Sequence, residues 1–477
     1  MTHTALPRLS LLNEHQIQEL HAASLELLCT TGITVKSPQA LEIFASSEST
    51  TIEGNTVLFE SDLIETCIEQ APSSIQIYDR HKNPSFKLGP DVTETVFGIG
   101  VTNTHFQDPE TEDIVPFARQ HIAQATRLGN SLENFALIST PGVIEDPQLK
   151  NGEVLAALEM LANTTKPLVI LSSNTGAFRT SLDLFDHLIG DLAAHPFIIP
   201  YVNPITPLIL NAGTTDKMIM SIQKGLPLIY SSYGMSGATT PITAGGTLAL
   251  QNAELLAGLV FTQLVKAGTP VILGCLPSVF EMHHMTSAYT PQTMLVNLAC
   301  AEMMHYYGIP HAGTSGSGAG WGADLSAGGL LWMNHLTSML GKVGMAPFVG
   351  GNFDSLVFSS KLLIYANEVI RQLRLFSDGL DLSKEKIDLN TIQETGPGGN
   401  FLQTDQTLTL FREIHEQHNR IWPGISLDDW FGQGSPHAND ILQTYVDEVL
   451  GQLITPPDHR ELISKGEAWI TENNPSA

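Results

Sequence analysis

The stretch LPLIYSSYGMSGATTPITAGGTLALQNAELLAGLVFTQLVKAGTPVILGCLPS runs from residue 226 to residue 278. It opens on a short apolar run, LPLIY, and closes on another, PVILGC. Neither alternates polar with apolar residues. Strands buried on both faces read this way, because helices cover both sides of a parallel sheet. Between the two runs, NAELLAGLVFTQLVKAG has helical period and stops at a glycine. The stretch is therefore one strand–helix–strand unit with parallel strands.

The same unit repeats on both sides. Apolar runs rich in Val, Ile and Phe start near residues 94, 135, 168, 197, 226, 270, 309 and 345, with helical patterns between them. Eight units at roughly 30 to 40 residue spacing predict a (β/α)8 barrel. The runs end in polar residues: Thr140, Asn174, Asn203, Ser231, Ser232, Cys275, Ser278, Thr314, Ser315 and Asn352. In a barrel these ends share one mouth, where chemistry usually sits. The plainer alternative is that they cap the following helices.

The flanks read differently. Residues 1–90 form a mixed α+β cap: a helix in EHQIQELHAASLELLCTTG stopped by Gly32, a strand in NTVLFES and a helix in SDLIETCIEQAP. Residues 91–375 hold the barrel. Residues 376–477 lose the rhythm and read as a helical extension packed on it.

Composition narrows the partners. The formal net charge of −26 argues against nucleic acid and anionic membranes, which need basic patches. The four cysteines, Cys29, Cys67, Cys275 and Cys300, form no CxxC pair, so reduced thiols are expected. No leader pattern opens the sequence, and no run approaches the about 18 apolar residues of a membrane span. A cytoplasmic enzyme follows as the expectation.

The loop HAGTSGSGAGWGADLSAGG, residues 311–329, bears most directly on function. Gly318, Gly320 and Ala323 satisfy a G-x-G-x-x-A pattern. However, the loop follows a seventh run, and no acid stands about 20 residues on to bind a ribose. His283, His284, His305, His311 and Glu281 cluster in sequence, but without recognised zinc-ligand spacing. Dense glycine at a barrel mouth instead leaves room for close approach of something broad.

Long segments resemble the trimethylamine methyltransferase family, in particular members without pyrrolysine such as glycine betaine methyltransferases. They are HAASLELLCTTGITV, NPITPLIL, SGATTPITAGGTLALQNAELLAGLVFTQL and YYGIPHAGTSG, in family order. The resemblance implies a (β/α)8 barrel that moves a methyl group from a methylated amine to the Co(I) corrinoid of a partner protein. It implies that this corrinoid (a cobalamin) is carried by the partner and that no metal is bound by the chain itself. Pyrrolysine in relatives follows Ala-Gly-Ser at the seventh strand. Here Ala312, Gly313 and Thr314 lead to Ser315, which takes the pyrrolysine position. The family's Ser-Pro-Glu is also altered, to Thr290, Pro291 and Gln292.

These departures point to a quaternary amine, glycine betaine or similar, whose leaving group departs neutral. Catalysis then rests on orientation and desolvation. Ser315, His311 and Asp324 are the residues expected to act, Asp324 either balancing the ammonium or capping a helix. A quaternary ammonium is recognised by aromatic faces and carboxylates. The candidate rings are Phe97, Tyr201, Tyr233, Trp321, Trp332 and Phe353. Asn203, His283 and His284 are candidate donors to a substrate carboxylate. Gly316, Gly318 and His335 are expected nearest the corrinoid. Two rivals remain: a metal-dependent lyase or hydrolase built on Glu281, His283 and His284, and a non-catalytic binder of quaternary amines. Barrels of this size often self-associate, so a homo-oligomer is open.

Overall fold

A computed structural model describes residues 3–92, 94–144, 146, 151–314, 318 and 320–473. All eight predicted runs become barrel strands. They are β1 (Val96–Ile99), β2 (Leu137–Ser139), β3 (Leu168–Ile170), β4 (Ile198–Val202), β5 (Leu228–Ser236), β6 (Val271–Glu281), β7 (the bridge residues His311 and Ala312) and β8 (Met345–Val349). Each is followed by its helix: α1 (Arg119–Ser131), α2 (Gly152–Asn163), α3 (Thr175–Leu188), α4 (Ala212–Gln223), α5 (Ala244–Val265), α6 (Pro291–Tyr307), α7 (Leu325–Leu340) and α8 (Ser360–Ser377).

The strands pair in parallel from β8 through β1 to β6. β7 closes the circle. His311 bridges Leu273 of β6, and Ala312 bridges Met345 of β8. Backbone bonds hold both sides: Ala312 N to Leu273 O at 2.9 Å and Met345 N to His311 O at 2.9 Å. Gly274 permits this approach, since a Cβ there would lie 1.7 Å from the Ala312 carbonyl oxygen.

One side chain from each strand fills the barrel: Val96, Leu137, Val169, Ile199, Ile229, Ile272, Ala312 and Met345. Their strand neighbours face the helices, as a period of two requires. A hairpin of Ile75–Tyr78 and Pro84–Leu88 adds Ile75, Ile77 and Leu88 to the same cluster. Its backbone bonds to Pro196 and Thr165, just before β4 and β3, put it at the N-terminal end of the barrel. The bottom is plugged, so ligands enter from the strand C-termini.

The N-terminal helix Glu14–Thr30 starts at an Asn13 capping box and lies on α5. The strand Ile33–Val35 pairs with both Thr56–Phe59 and Ile209–Leu210, tying this region to the loop after β4. The 22-residue α5 is apolar enough on average to cross a membrane, unlike any unbroken run in the sequence. It is the barrel's inner support instead, buried under the N-terminal helices.

The C-terminal region divides in two. Helix Ala438–Gly451 packs on α8, and His459–Asn473 packs on α2 and α3 through Ile470. By contrast, the short helices between residues 384 and 416 leave Leu389, Ile392, Leu408 and Phe411 exposed. This part does not bury its apolar face on the barrel, which differs from the packed extension expected.

Candidate functional site

Helix capping accounts for one of the polar strand-end candidates, Asn174, and for Asp324 of the glycine loop. Asn174 caps α3, its Oδ1 accepting from Gly176 N and Ala177 N. Asp324 caps α7: Oδ1 accepts from Ala327 N at 2.8 Å and Oδ2 from Trp321 N at 2.7 Å. Both oxygens accept from backbone, which gives Asp324 the helix-cap role expected of it.

Three more candidates lie behind the wall. Phe97 is fully buried between β1 and the helices, with its ring 5.1 Å from that of His335 on α7. Burial holds the His335 pKa down to about 3, so the ring is neutral. His311 alternates with inward-facing Ala312 and turns toward Cys300 on α6. In each case one residue of strand phase, or the helix's inner face, separates mouth from wall. Ser315 and Gly316 lie outside the described residues.

The hairpin after β6 also corrects expectation. Glu281 accepts from His283 N and His284 N, and from the His284 ring at 2.9 Å. Both histidines stand exposed at the hairpin tip, away from the mouth's interior. Among the described residues no three His, Cys, Asp or Glu side chains are grouped to hold a metal ion. Trp321 is 76% exposed on the rim, and Trp332 donates to the Tyr365 hydroxyl on the helical layer.

The structure does bring together Tyr201 of β4, Tyr233 of β5, Tyr289 and Asp354. The Tyr233 hydroxyl meets Ser287 Oγ at 2.6 Å, and Ser287 N donates to Asp354 Oδ2 at 2.9 Å. Burial pushes the Tyr289 hydroxyl above its ordinary range. The nearby Tyr233, Asp354 and Tyr201 push the same way, and a bond with Ser355 opposes. Burial also lifts Asp354 above the usual carboxylate range, against two bonds from Ser287. Asp354 sits in a turn of three consecutive left-handed residues: Phe353 at φ 48°, Asp354 at 57° and Ser355 at 62°. Such backbone is disfavoured and concentrates at functional sites.

Gly318 closes over this group. Its N–H donates to the Gly351 carbonyl at 2.9 Å, and its carbonyl accepts from Asp354 N at 3.0 Å. A Cβ at Gly318 would fall 2.2 Å from Tyr289 Cε2. The glycine loop is thus thin at this point because a tyrosine ring lies directly beneath it. Sequence reasoning missed Tyr289 and Asp354. The available signal was their position: Asp354 follows Asn352 at the eighth strand end, and Tyr289 precedes the capped start of α6.

Beside Tyr201 opens a cavity of about 270 Å³. It is lined by Thr140, Ser172, Asn203, Glu153 and Lys217 as well as Tyr201 itself. Burial raises the Tyr201 hydroxyl pKa to about 12, with the neighbouring Ser231 acting the other way. Its ring packs edge-on against Phe348 of β8 at 5.3 Å, across the barrel. Tyr201 therefore belongs both to the tyrosine–Asp354 cluster and to the cavity wall. The cluster is aromatic with a carboxylate; the cavity holds an ammonium, a carboxylate and hydroxyls. The arrangement suits a small ligand with a permanent cation, which offers no N–H and is met by π faces and a negative charge.

Comparison with known proteins agrees in fold and length. The family model described as trimethylamine methyltransferase matches residues 1–470. A trimethylamine methyltransferase of Desulfitobacterium hafniense is 25% identical over 454 residues, covering 93% of this chain and 91% of that protein. A glycine betaine methyltransferase of Desulfitobacterium hafniense is 26% identical over 483 residues, covering 98% of each. Among solved structures, the monomethylamine methyltransferase of Methanosarcina barkeri superposes with a TM-score of 0.53 at 10% identity, covering 94% of this chain and 89% of that one.

Proposed function

Because the chain belongs to the trimethylamine methyltransferase family, we propose that it takes one methyl group from a quaternary amine, glycine betaine or similar, and delivers it to the Co(I) corrinoid of a partner protein. The observation that carries this reading is the half-buried Asp354 beside Tyr201, Tyr233 and Tyr289. These side chains bind a fixed positive charge without needing a donor from the ligand. The glycine betaine methyltransferase among the relatives supports the same substrate class.

The chain's residues have limited chemistry to perform. A quaternary nitrogen leaves as a neutral amine, so no general acid has to protonate it. Tyr201, Tyr233 and Tyr289 orient the cation and exclude water from it. Asp354 offsets its charge, and Gly318 leaves the overlying loop thin. Ser315 enters the proposal through its place in the sequence, where relatives carry pyrrolysine.

The mouth also fits a broad group presented by another protein. Ile205, Ile242, Met282, Met285 and Trp321 are exposed on the loops after β4 to β7, and Leu325 at the start of α7. A rim of apolar side chains marks a surface that another surface covers. When bound, the Co(I) corrinoid supplies the nucleophile that accepts the methyl group. The barrel is proposed to act in the cytoplasm, with the regions before residue 91 and after residue 375 as its additions.

The proposal is tested by product analysis. The purified chain is incubated with glycine betaine and a corrinoid protein reduced to Co(I). The demethylated tertiary amine should appear by mass spectrometry only when the reduced corrinoid is present. Tight amine binding with no demethylated product would replace the enzyme with a binder.

A further inference from the structure

The cavity beside Tyr201 holds charges that the cation site does not use. Glu153 enters it from α2 and Lys217 from α4. Both reach the end of β3, but they are bonded to different atoms there. Glu153 accepts from the Ser172 and Ser173 hydroxyls. Lys217 donates to the Ser172 carbonyl at 2.8 Å. The carboxylate is thus held by hydroxyls, while the ammonium has a neutral carbonyl for its contact.

Placing an ammonium in a cavity wall is unfavourable unless an opposite charge meets it. Burial indeed lowers the Lys217 pKa, and Glu153 partly restores it. Glu153 is therefore suited to keep Lys217 charged from a distance. The open side of the lysine faces the cavity, where Asn203 and Thr140 add polar groups. Tyr201 stands between this lysine and the site of Tyr289 and Asp354. A ligand bound against Tyr201 has negative charge required at one side and positive charge at the other.

We propose that Lys217, with Asn203 beside it, forms a carboxylate subsite, making Lys217 the residue that selects carboxylated quaternary amines over neutral ones such as choline. This rests on the mouth being a quaternary-amine site. Glu153 is a positioning residue here, acting on Lys217 rather than on the ligand.

The test is calorimetric titration of the full chain with glycine betaine and with choline. Both probes carry a trimethylammonium group, and only glycine betaine carries a carboxylate. The wild type should bind glycine betaine at least tenfold more tightly. Lys217→Met keeps most of the aliphatic stem and should lose at least tenfold more affinity for glycine betaine than for choline. A wild type that binds both probes equally overturns the subsite and leaves the quaternary-amine reading standing. Equal losses for both probes in Lys217→Met reduce the lysine to a structural prop and also overturn it. A wild type that binds neither probe overturns the reading of the mouth itself. The wild-type comparison needs no variant, so it decides the matter even if Lys217→Met does not fold.

Discussion

Asp354→Asn is the substitution that most sharply separates a cation site from a structural turn. The change keeps the shape of the side chain, and an amide oxygen can still accept from Ser287 N, now 2.9 Å from Oδ2. Only the charge is lost. Two unit charges about 5 Å apart at an effective dielectric of about 20 attract by about 3 kcal/mol. Asp354 is only half-buried, so solvent screening reduces this to about 1.4–2.7 kcal/mol, a loss of roughly ten- to hundredfold in affinity. Calorimetric titration with tetramethylammonium, with circular dichroism as the check on folding, measures it. The sign of the stability effect is opposite. Burial raises the Asp354 pKa, so the folded state disfavours the charged form, and Asp354→Asn should leave Tm unchanged or higher. For the same reason wild-type cation affinity should fall as pH drops, beginning above the usual carboxylate range, and the variant's should not. A folded Asp354→Asn protein that binds tetramethylammonium within twofold of wild type would refute the assignment of this carboxylate.

Other consequences follow from single positions. Gly318→Ala places a Cβ 2.2 Å from Tyr289 Cε2 at a backbone φ of +99°. The left-handed conformation alone should lower stability by about 1–2 kcal/mol, and displacement of the ring should abolish cation binding; a variant that binds normally would show that the loop does not press on Tyr289. His335, held near about 3 by burial, contributes stability that is full above its unfolded pKa of about 6.5 and is lost as pH falls toward its folded value. Urea unfolding should show about 3 kcal/mol lost from this group between pH 7 and pH 4, a slope missing in His335→Gln; identical slopes would contradict the neutral buried ring. Buried Glu254 accepts from Thr206 Oγ1 at 2.8 Å, Leu208 N at 2.6 Å and Ser232 Oγ at 2.6 Å, joining the loop after β4 to β5. Glu254→Ala leaves those donors unsatisfied and should destabilise by about 3 kcal/mol in the same assay, whereas a loss under about 1 kcal/mol would mean the loop is held otherwise.

Much of the architecture was legible because it depends on local pattern. Each apolar run of the sequence is a strand, even the seventh, where only His311 and Ala312 bridge their neighbours. The glycine that stops the helical pattern before β6, Gly268, is left-handed at φ 75°. The site was less legible, since facing depends on strand phase and on what a helix packs against. Phe97 and His311 each sit one residue from an inward neighbour, Val96 and Ala312, so being in the right strand did not put them in the mouth. Lys217 and Glu153 lie on helices, where nothing local marks the faces that line a cavity. Tyr289 and Asp354 come from separate hairpins joined through Ser287, a contact between residues 67 apart in sequence. Asn203 and Thr140 were readable as polar strand ends, and both line the cavity.

Methyl transfer from a quaternary amine to cobalt changes the metal's absorption and can be followed directly. The direct measurement mixes the purified chain with cob(I)alamin and a panel of glycine betaine, proline betaine, carnitine, γ-butyrobetaine and choline, and follows the cobalt absorption spectrum. Conversion to methylcobalamin is expected with at least one carboxylated quaternary amine, dependent on the protein. Competent cob(I)alamin that remains unmethylated with every member of the panel would contradict it.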